Sequence, residues 1–184
     1  MESIRIHIPH ELFAPAESSH FEGTIEVPAL KAGPDLYSFA RPLAWQVDVT
    51  NTGDALLVTG TVEGDATTSC ARCLEDVKLP LTGDIEGYFL LGGEDAETPE
   101  DMDEDEFEVL PEDNAIDLTA LVQAALLLEA PLIPLCDDDC KGLCPTCGAN
   151  LNEGACACGE PAEDPDFELA RNPFAALKDL SFDE

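Results

Sequence analysis

The sequence predicts an α+β fold: a mainly antiparallel β-sheet or partial barrel, one long buried helix, a cysteine-rich zinc-ribbon-like segment and a short C-terminal helix. Three observations carry this expectation. Residues 4–91 hold several short runs that alternate apolar with polar side chains, the period of a half-buried strand. A long apolar run with helical spacing follows, bounded by Asp117 and Pro131, a helix start and a helix stop. Six of the eight cysteines then fall within residues 136–158, too dense for chance and spaced for a shared ligand.

The strands expected in order are IRIHI (4–8), FEGTIEV (21–27), LAWQVDVTN (43–51), ALLVTGTVEG (55–64) and DVKLPLTGDIEGYFLL (76–91), all rich in β-branched and aromatic residues. Thr52-Gly53-Asp54 supplies turn chemistry, so the third and fourth form a hairpin. Cys70 and Cys73 fall at the turn after the fourth. The stretch 92–113 carries twelve acids and no base. It reads either as a solvated loop, since like charges with little apolar content cannot offset the entropy of ordering, or as an acidic arm with Phe107, Val109 and Leu110 as anchors for a basic partner. Asp117 is the expected N-cap of a helix over 117–130. Leu118, Leu121, Val122, Ala125 and Leu126 form its stripe, and Leu127 and Leu128 widen it enough to predict burial against the sheet. PLIPLC runs extended into the cysteines. Asn172-Pro173 opens a last short helix with Phe174, Leu177 and Leu180 on one side. The domain division expected is a β-rich body over 1–135, a cysteine-rich metal-binding segment over 136–160 and a tail over 161–184.

The net charge of −32 comes from 40 acids against 8 Lys and Arg. Phosphate contacts depend on clustered cations, so direct docking on nucleic acid is opposed and a basic protein is the natural partner. The N-terminus lacks the continuous apolar stretch of a secretory signal, and no apolar run approaches the roughly 20 residues that span a bilayer. A cytoplasmic location is therefore expected, where clustered thiols bind metal or do redox chemistry more often than they form disulfides.

The cysteines form four close pairs, Cys70 with Cys73, Cys136 with Cys140, Cys144 with Cys147 and Cys156 with Cys158. A pair on one turn presents two thiolates to one ion, and two pairs close a tetrahedral shell, so eight thiols suit two structural zinc ions. Gly148 after CPTC can adopt the positive φ that turns the chain past the second sulfur. The loop of eight residues between Cys147 and Cys156 favours joining the last two pairs, which leaves Cys70, Cys73, Cys136 and Cys140 to share the other ion. Arg72 and Lys141 stand beside ligands and are expected to moderate the charge of the thiolate sites. The alternative is a thiol–disulfide oxidoreductase using Cys144 and Cys147. It is disfavoured because no strand-to-helix context surrounds CPTC. His7, His10 and His20 lie far in sequence from the cysteines, no phosphate-binding glycine loop is present, and closed four-thiolate shells leave zinc no open position for catalysis. No catalytic residue is assigned, and a non-enzymatic protein is expected.

CARCLE (70–75), the passage LLLEAPLIPLCDDDCKGLCPTCGANLNEGACAC (126–158) and the tail NPFAALKDL (172–180) together resemble the YceD family. The resemblance covers most of the chain after about residue 43. It implies a bacterial cytoplasmic factor in large-subunit ribosomal RNA accumulation, maturation or subunit assembly, often encoded beside a small ribosomal protein of the large subunit. With the charge, this gives the expected function: a ribosome-biogenesis factor that binds a basic ribosomal protein or a pre-ribosomal particle. The second possibility is a direct RNA-binding zinc module using Arg72 and Lys141.

Overall fold

The computed structural model describes residues 3–92 and 107–158. The central part of the acidic stretch and the expected C-terminal helix lie outside the described residues. The chain divides into two compact units, with the boundary between Cys140 and Lys141. Cys136 and Cys140 fall in the first unit.

The first unit is built around one long hairpin. Strands β6 (Ala55–Ser69) and β7 (Asp76–Leu90) pair antiparallel from Ala55 opposite Leu90 to Ser69 opposite Asp76. β6 runs further than the sequence pattern alone gave, because pairing with β7 carries the ladder past Gly64 into the less apolar DATTS. The other edge of β6 is shared. β5 (Leu43–Asn51) takes residues 56–63, and β4 (Asp35–Phe39) takes Ala66 and Thr67. Outside these lie β2 (Ser18–Ile25) on β5 and β3 (Ala29–Ala32) on β4. A short β8 (Glu108–Val109) adds parallel to the end of β7. The pairings are those of an open, branched sheet, and among the described residues no ladder closes it into a barrel.

Alternation decides the faces. In β5, Leu43, Trp45, Val47 and Val49 point into the core while Ala44, Gln46 and Asp48 face water, as a period of two requires. Gly64 sits where β5 gives way to β4. A Cβ there would lie 1.9 Å from the Leu43 side chain, so only glycine lets Leu43 fill the junction. A separate ribbon of β1 (Arg5–His7) and β9 (Ala115–Asp117) contributes Ile4, Ile6, Ile8 and Ile116 to the same core. Asn51, which is buried, donates from Nδ2 to the carbonyl of Leu12 at 2.7 Å and accepts at Oδ1 from the Gly53 amide at 2.7 Å. It fixes the 3₁₀ turn His10–Phe13 to the β5–β6 hairpin.

The expected long buried helix is corrected to a three-turn helix buried on one side. This helix, α1, spans Thr119–Glu129 and buries Val122, Ala125 and Leu126, whereas Leu127 and Leu128 face solvent. Asp117 belongs to β9, and its Oδ1 accepts the Thr119 amide at 2.9 Å just ahead of the first turn. The helix rests on glycines of β7: a Cβ on Gly83 would come within 2.6 Å of the Ala125 backbone, and one on Gly87 within 2.7 Å of Leu121. Beyond α1, Tyr37, fully buried, donates its hydroxyl to the carbonyl of Pro131 at 2.8 Å. The amide of Ala71 donates to the carbonyl of Pro134 at 2.8 Å. These two bonds lead the chain back to the turn that carries Cys70 and Cys73. No helix among the described residues is long and apolar enough to cross a membrane.

Candidate metal centres

The eight thiols gather into two groups. Cys70, Cys73, Cys136 and Cys140 form one within the first unit, and Cys144, Cys147, Cys156 and Cys158 form the other within the second. In each group all four sulfurs lie within 4.8 Å of one another. Cys70 and Cys140 are 3.8 Å apart, Cys73 and Cys136 3.6 Å, and Cys144 and Cys156 3.4 Å. Four sulfurs around one tetrahedral zinc, each about 2.3 Å from the metal, stand about 3.8 Å apart. The donor set and its spacing thus fit one such ion per group. None of the eight cysteines is in a disulfide.

Local backbone explains why each turn can present two sulfurs. At the β6–β7 turn the Cys70 amide donates to the Glu75 carbonyl at 2.8 Å and the Leu74 amide to the Cys70 carbonyl at 2.9 Å. At CPTCG the Cys144 amide donates to the Ala149 carbonyl at 2.8 Å and the Gly148 amide to the Cys144 carbonyl at 2.9 Å. The two turns are the same device used twice. In both, the residue after the second cysteine is left-handed, Leu74 at φ 63° and Gly148 at φ 72°. The glycine was legible in the sequence as a turn signal. Its counterpart was not, because a leucine carries no such signal. A bridge of Leu143 with Asn150 and a bond from the Lys141 amide to Asn152 Oδ1 at 2.8 Å close the small loop that carries Cys144 and Cys147.

Each group contains sulfurs of opposed acidity. Burial opposes ionisation of Cys70, but amides of Cys73, Arg72 and Cys136 point at its sulfur and bring it down to about 6. Amides of Cys147 and Thr146, with the Cys156 thiol, likewise hold Cys144 at about 6. Cys136 is pushed up to about 12 by the neighbouring sulfurs of Cys140 and Cys73 and by burial. Cys158 is pushed to about 12 by Cys147 and burial. N–H donors favour a first thiolate in each group, and the remaining sulfurs then resist further charge. A divalent cation is what removes that resistance.

Arg72 lies across the first group. Its amide approaches Cys70 Sγ at 3.4 Å, and its guanidinium Nη1 donates to the carbonyls of Asp138 and Cys140, both at 2.9 Å. It thereby holds the CDDDC loop against the CARC turn. Lys141 enters the second group through its backbone amide, and its side chain is exposed. The histidines stand elsewhere: His7 on β1, His10 beside Phe13, and His20 on β2 with Nδ1 at 2.9 Å from Asp48. Of the proposed acidic-arm anchors, Leu110 is buried in the core while Val109 is exposed.

The family model described as large ribosomal RNA subunit accumulation protein YceD matches residues 58–181, from β6 through both cysteine groups. The chain belongs to the YceD family. An uncharacterized protein of Mycobacterium tuberculosis is 33% identical over 139 residues, covering 74% of this chain and 65% of that protein. The Arabidopsis thaliana protein named large ribosomal RNA subunit accumulation protein YCED homolog 1, chloroplastic, is 30% identical over 154 residues, covering 71% of this chain and 48% of its own length. Its namesake in Zea mays is 32% identical over 143 residues, covering 64% and 48%. The match thus spans just under two thirds of the mycobacterial relative and about half of the plant ones. No solved structure matches the chain.

Proposed function

We propose that this YceD-family chain is a non-enzymatic factor for the accumulation or processing of large-subunit ribosomal RNA, or for assembly of the subunit, that acts by holding a basic ribosomal protein. The family description and the names of the plant relatives support the ribosomal setting. Both cysteine groups bind structural zinc on this reading, four sulfurs per ion. The shells are closed, so neither metal has a free position for substrate.

The observation that carries the choice of partner is the charge. With 40 acids against 8 Lys and Arg, the chain repels phosphate and attracts a cationic protein. Direct RNA binding through Arg72 and Lys141 is the weaker reading, since Nη1 of Arg72 is already committed to two carbonyl groups of the metal-binding loop. Immobilised full-length protein, offered RNA-free proteins of the large subunit and naked large-subunit RNA separately, tests the choice. Capture of one or a few basic ribosomal proteins that weakens as salt rises is the expected result. Tight binding to naked RNA with no retention of ribosomal protein would reverse it.

A further inference from the structure

Apolar side chains stand exposed on the segments that carry the first cysteine group and on the end of α1 that leads into them. Leu74 is 65% exposed, Leu132 94% and Ile133 68%, and Leu128 at the end of α1 is 84% exposed. Three of these four lie on one six-residue stretch of chain. Leu74 joins them because its turn is tied to that stretch by the bond from Ala71 to Pro134 and by the approach of Cys73 to Cys136 at 3.6 Å. Large apolar side chains exposed this far are unremarkable singly, but a contiguous group marks an interaction surface.

Leu74 makes the strongest point. It occupies the left-handed position that Gly148 fills in the second turn. A leucine is strained there and glycine is not. Burial does not compensate, since the side chain is mostly in water. Neither the turn nor the core accounts for a leucine at this site, and backbone strain kept without a structural return points to use by a partner. The surroundings indicate the partner's chemistry. Asp137, Asp138 and Asp139 are exposed in the loop just beyond Ile133, Glu75 is exposed beside Leu74, and Glu129 is exposed beside Leu128.

We infer that Leu74, Leu128, Leu132 and Ile133 form the docking surface for the partner, and that its occupant is a cationic protein segment carrying apolar side chains. The inference rests on the proposed function for the class of partner and adds where that partner binds and how. The apolar centre gives the affinity and the acidic rim gives the encounter rate, the division of labour usual in such interfaces.

Two variants test it in the full-length, metal-loaded chain. Leu74→Gly removes one anchor and relieves the left-handed position, so metal content and melting temperature are expected to hold or rise. Leu132→Ser with Ile133→Ser removes two adjacent exposed anchors without touching the core. The probe is the set of RNA-free large-subunit ribosomal proteins, with bound species identified by mass and their affinities measured at several salt concentrations. Each variant is expected to weaken the captured basic protein by about tenfold or more, while the dependence on salt stays that of the parent because the rim is intact. Parent capture with unchanged affinity in both variants would overturn the docking surface and leave the proposed function standing. Failure of the parent to capture any basic protein would overturn both. A parent that is dimeric and variants that are monomeric would assign the surface to a second copy of this chain and refute the inference.

Discussion

At the level of single residues, the sulfurs of each cysteine group differ in how readily they give up a proton. In the metal-free chain Cys70 and Cys144, held at about 6, are largely thiolate at pH 7, while Cys136 and Cys158, at about 12, carry protons. A lowered pKa stabilises the fold above the ordinary thiol range, and that contribution is lost as pH falls toward the lowered value. For Cys70 and Cys144 the loss therefore runs progressively from about pH 9 down to about pH 6, and little of the contribution is left below that. For Cys136 and Cys158 the sign is opposite: the contribution is present below the ordinary range and disappears only as pH climbs toward 12. A metal ion held by all four sulfurs of a group would displace the protons on Cys136 and Cys158, so adding zinc at pH 7 in weak buffer is expected to release protons. Affinity, measured by competition with a coloured chelator, is expected to fall from about pH 8 to about pH 5, and most steeply once Cys70 and Cys144 protonate. An affinity independent of pH across that range would refute thiolate ligation. The gathering of the eight cysteines into two groups of four was legible in the sequence, because cysteine pairs are rare and their spacing is local. The role of Leu74 was hidden, because φ is set by the turn's hydrogen bonds and nothing in the name of a leucine reveals it.

At the level of elements, tight approach between α1 and β7 fixes the body. Gly83 leaves no room for a methyl group beneath Ala125, and the atoms met are helix backbone, which cannot swing aside. Gly83→Ala is expected to lower stability by about 1–3 kcal/mol through overpacking, read from denaturant midpoints at fixed metal content. Leu128→Ala, on the exposed side of the same helix, should stay within about 0.5 kcal/mol. A change of similar size in both would refute this packing. The strands that alternate cleanly, 43–51 above all, were readable because their period of two survives in the sequence. Strands β3 and β4 were not, since ALKA and DLYSF are short and interrupted by Gly33-Pro34, and β4 is held by pairing with a distant part of β6. The burial of the helix was over-read for a related reason. Leu127 and Leu128 look like core in a sequence, but which apolar residues a sheet can cover is decided by the width of the groove above Gly83 and Gly87.

At the level of the whole molecule, the two cysteine groups close different lengths of chain, so a metal bound at each would do a different job. The first joins the β6–β7 turn to the segment after α1, with Cys73 and Cys136 separated by 63 positions. The second closes only the short span from Cys144 to Cys158 and lies wholly within the unit after Cys140. A ligand shared between distant segments removes far more freedom from the unfolded chain than one that closes a short loop, although the gain grows only slowly with length. It also holds the end of the central hairpin against the exit from α1, where Arg72 adds its two bonds. Zinc binding to such a site is part of the folding free energy. Cys73→Ser is therefore expected to lose one ion per chain and to speed amide exchange throughout β6, β7 and α1. Cys147→Ser is expected to lose one ion as well, but to raise exchange only over residues 141–158, leaving the sheet protected. Exchange read residue by residue, with metal counted on the same samples, separates the outcomes. Equal loss of sheet protection in both variants would show that the two units fold as one. Loss in Cys147→Ser alone would mean that the stability of the body depends on the second group and that the first is dispensable, reversing the assignment of staple and appendage.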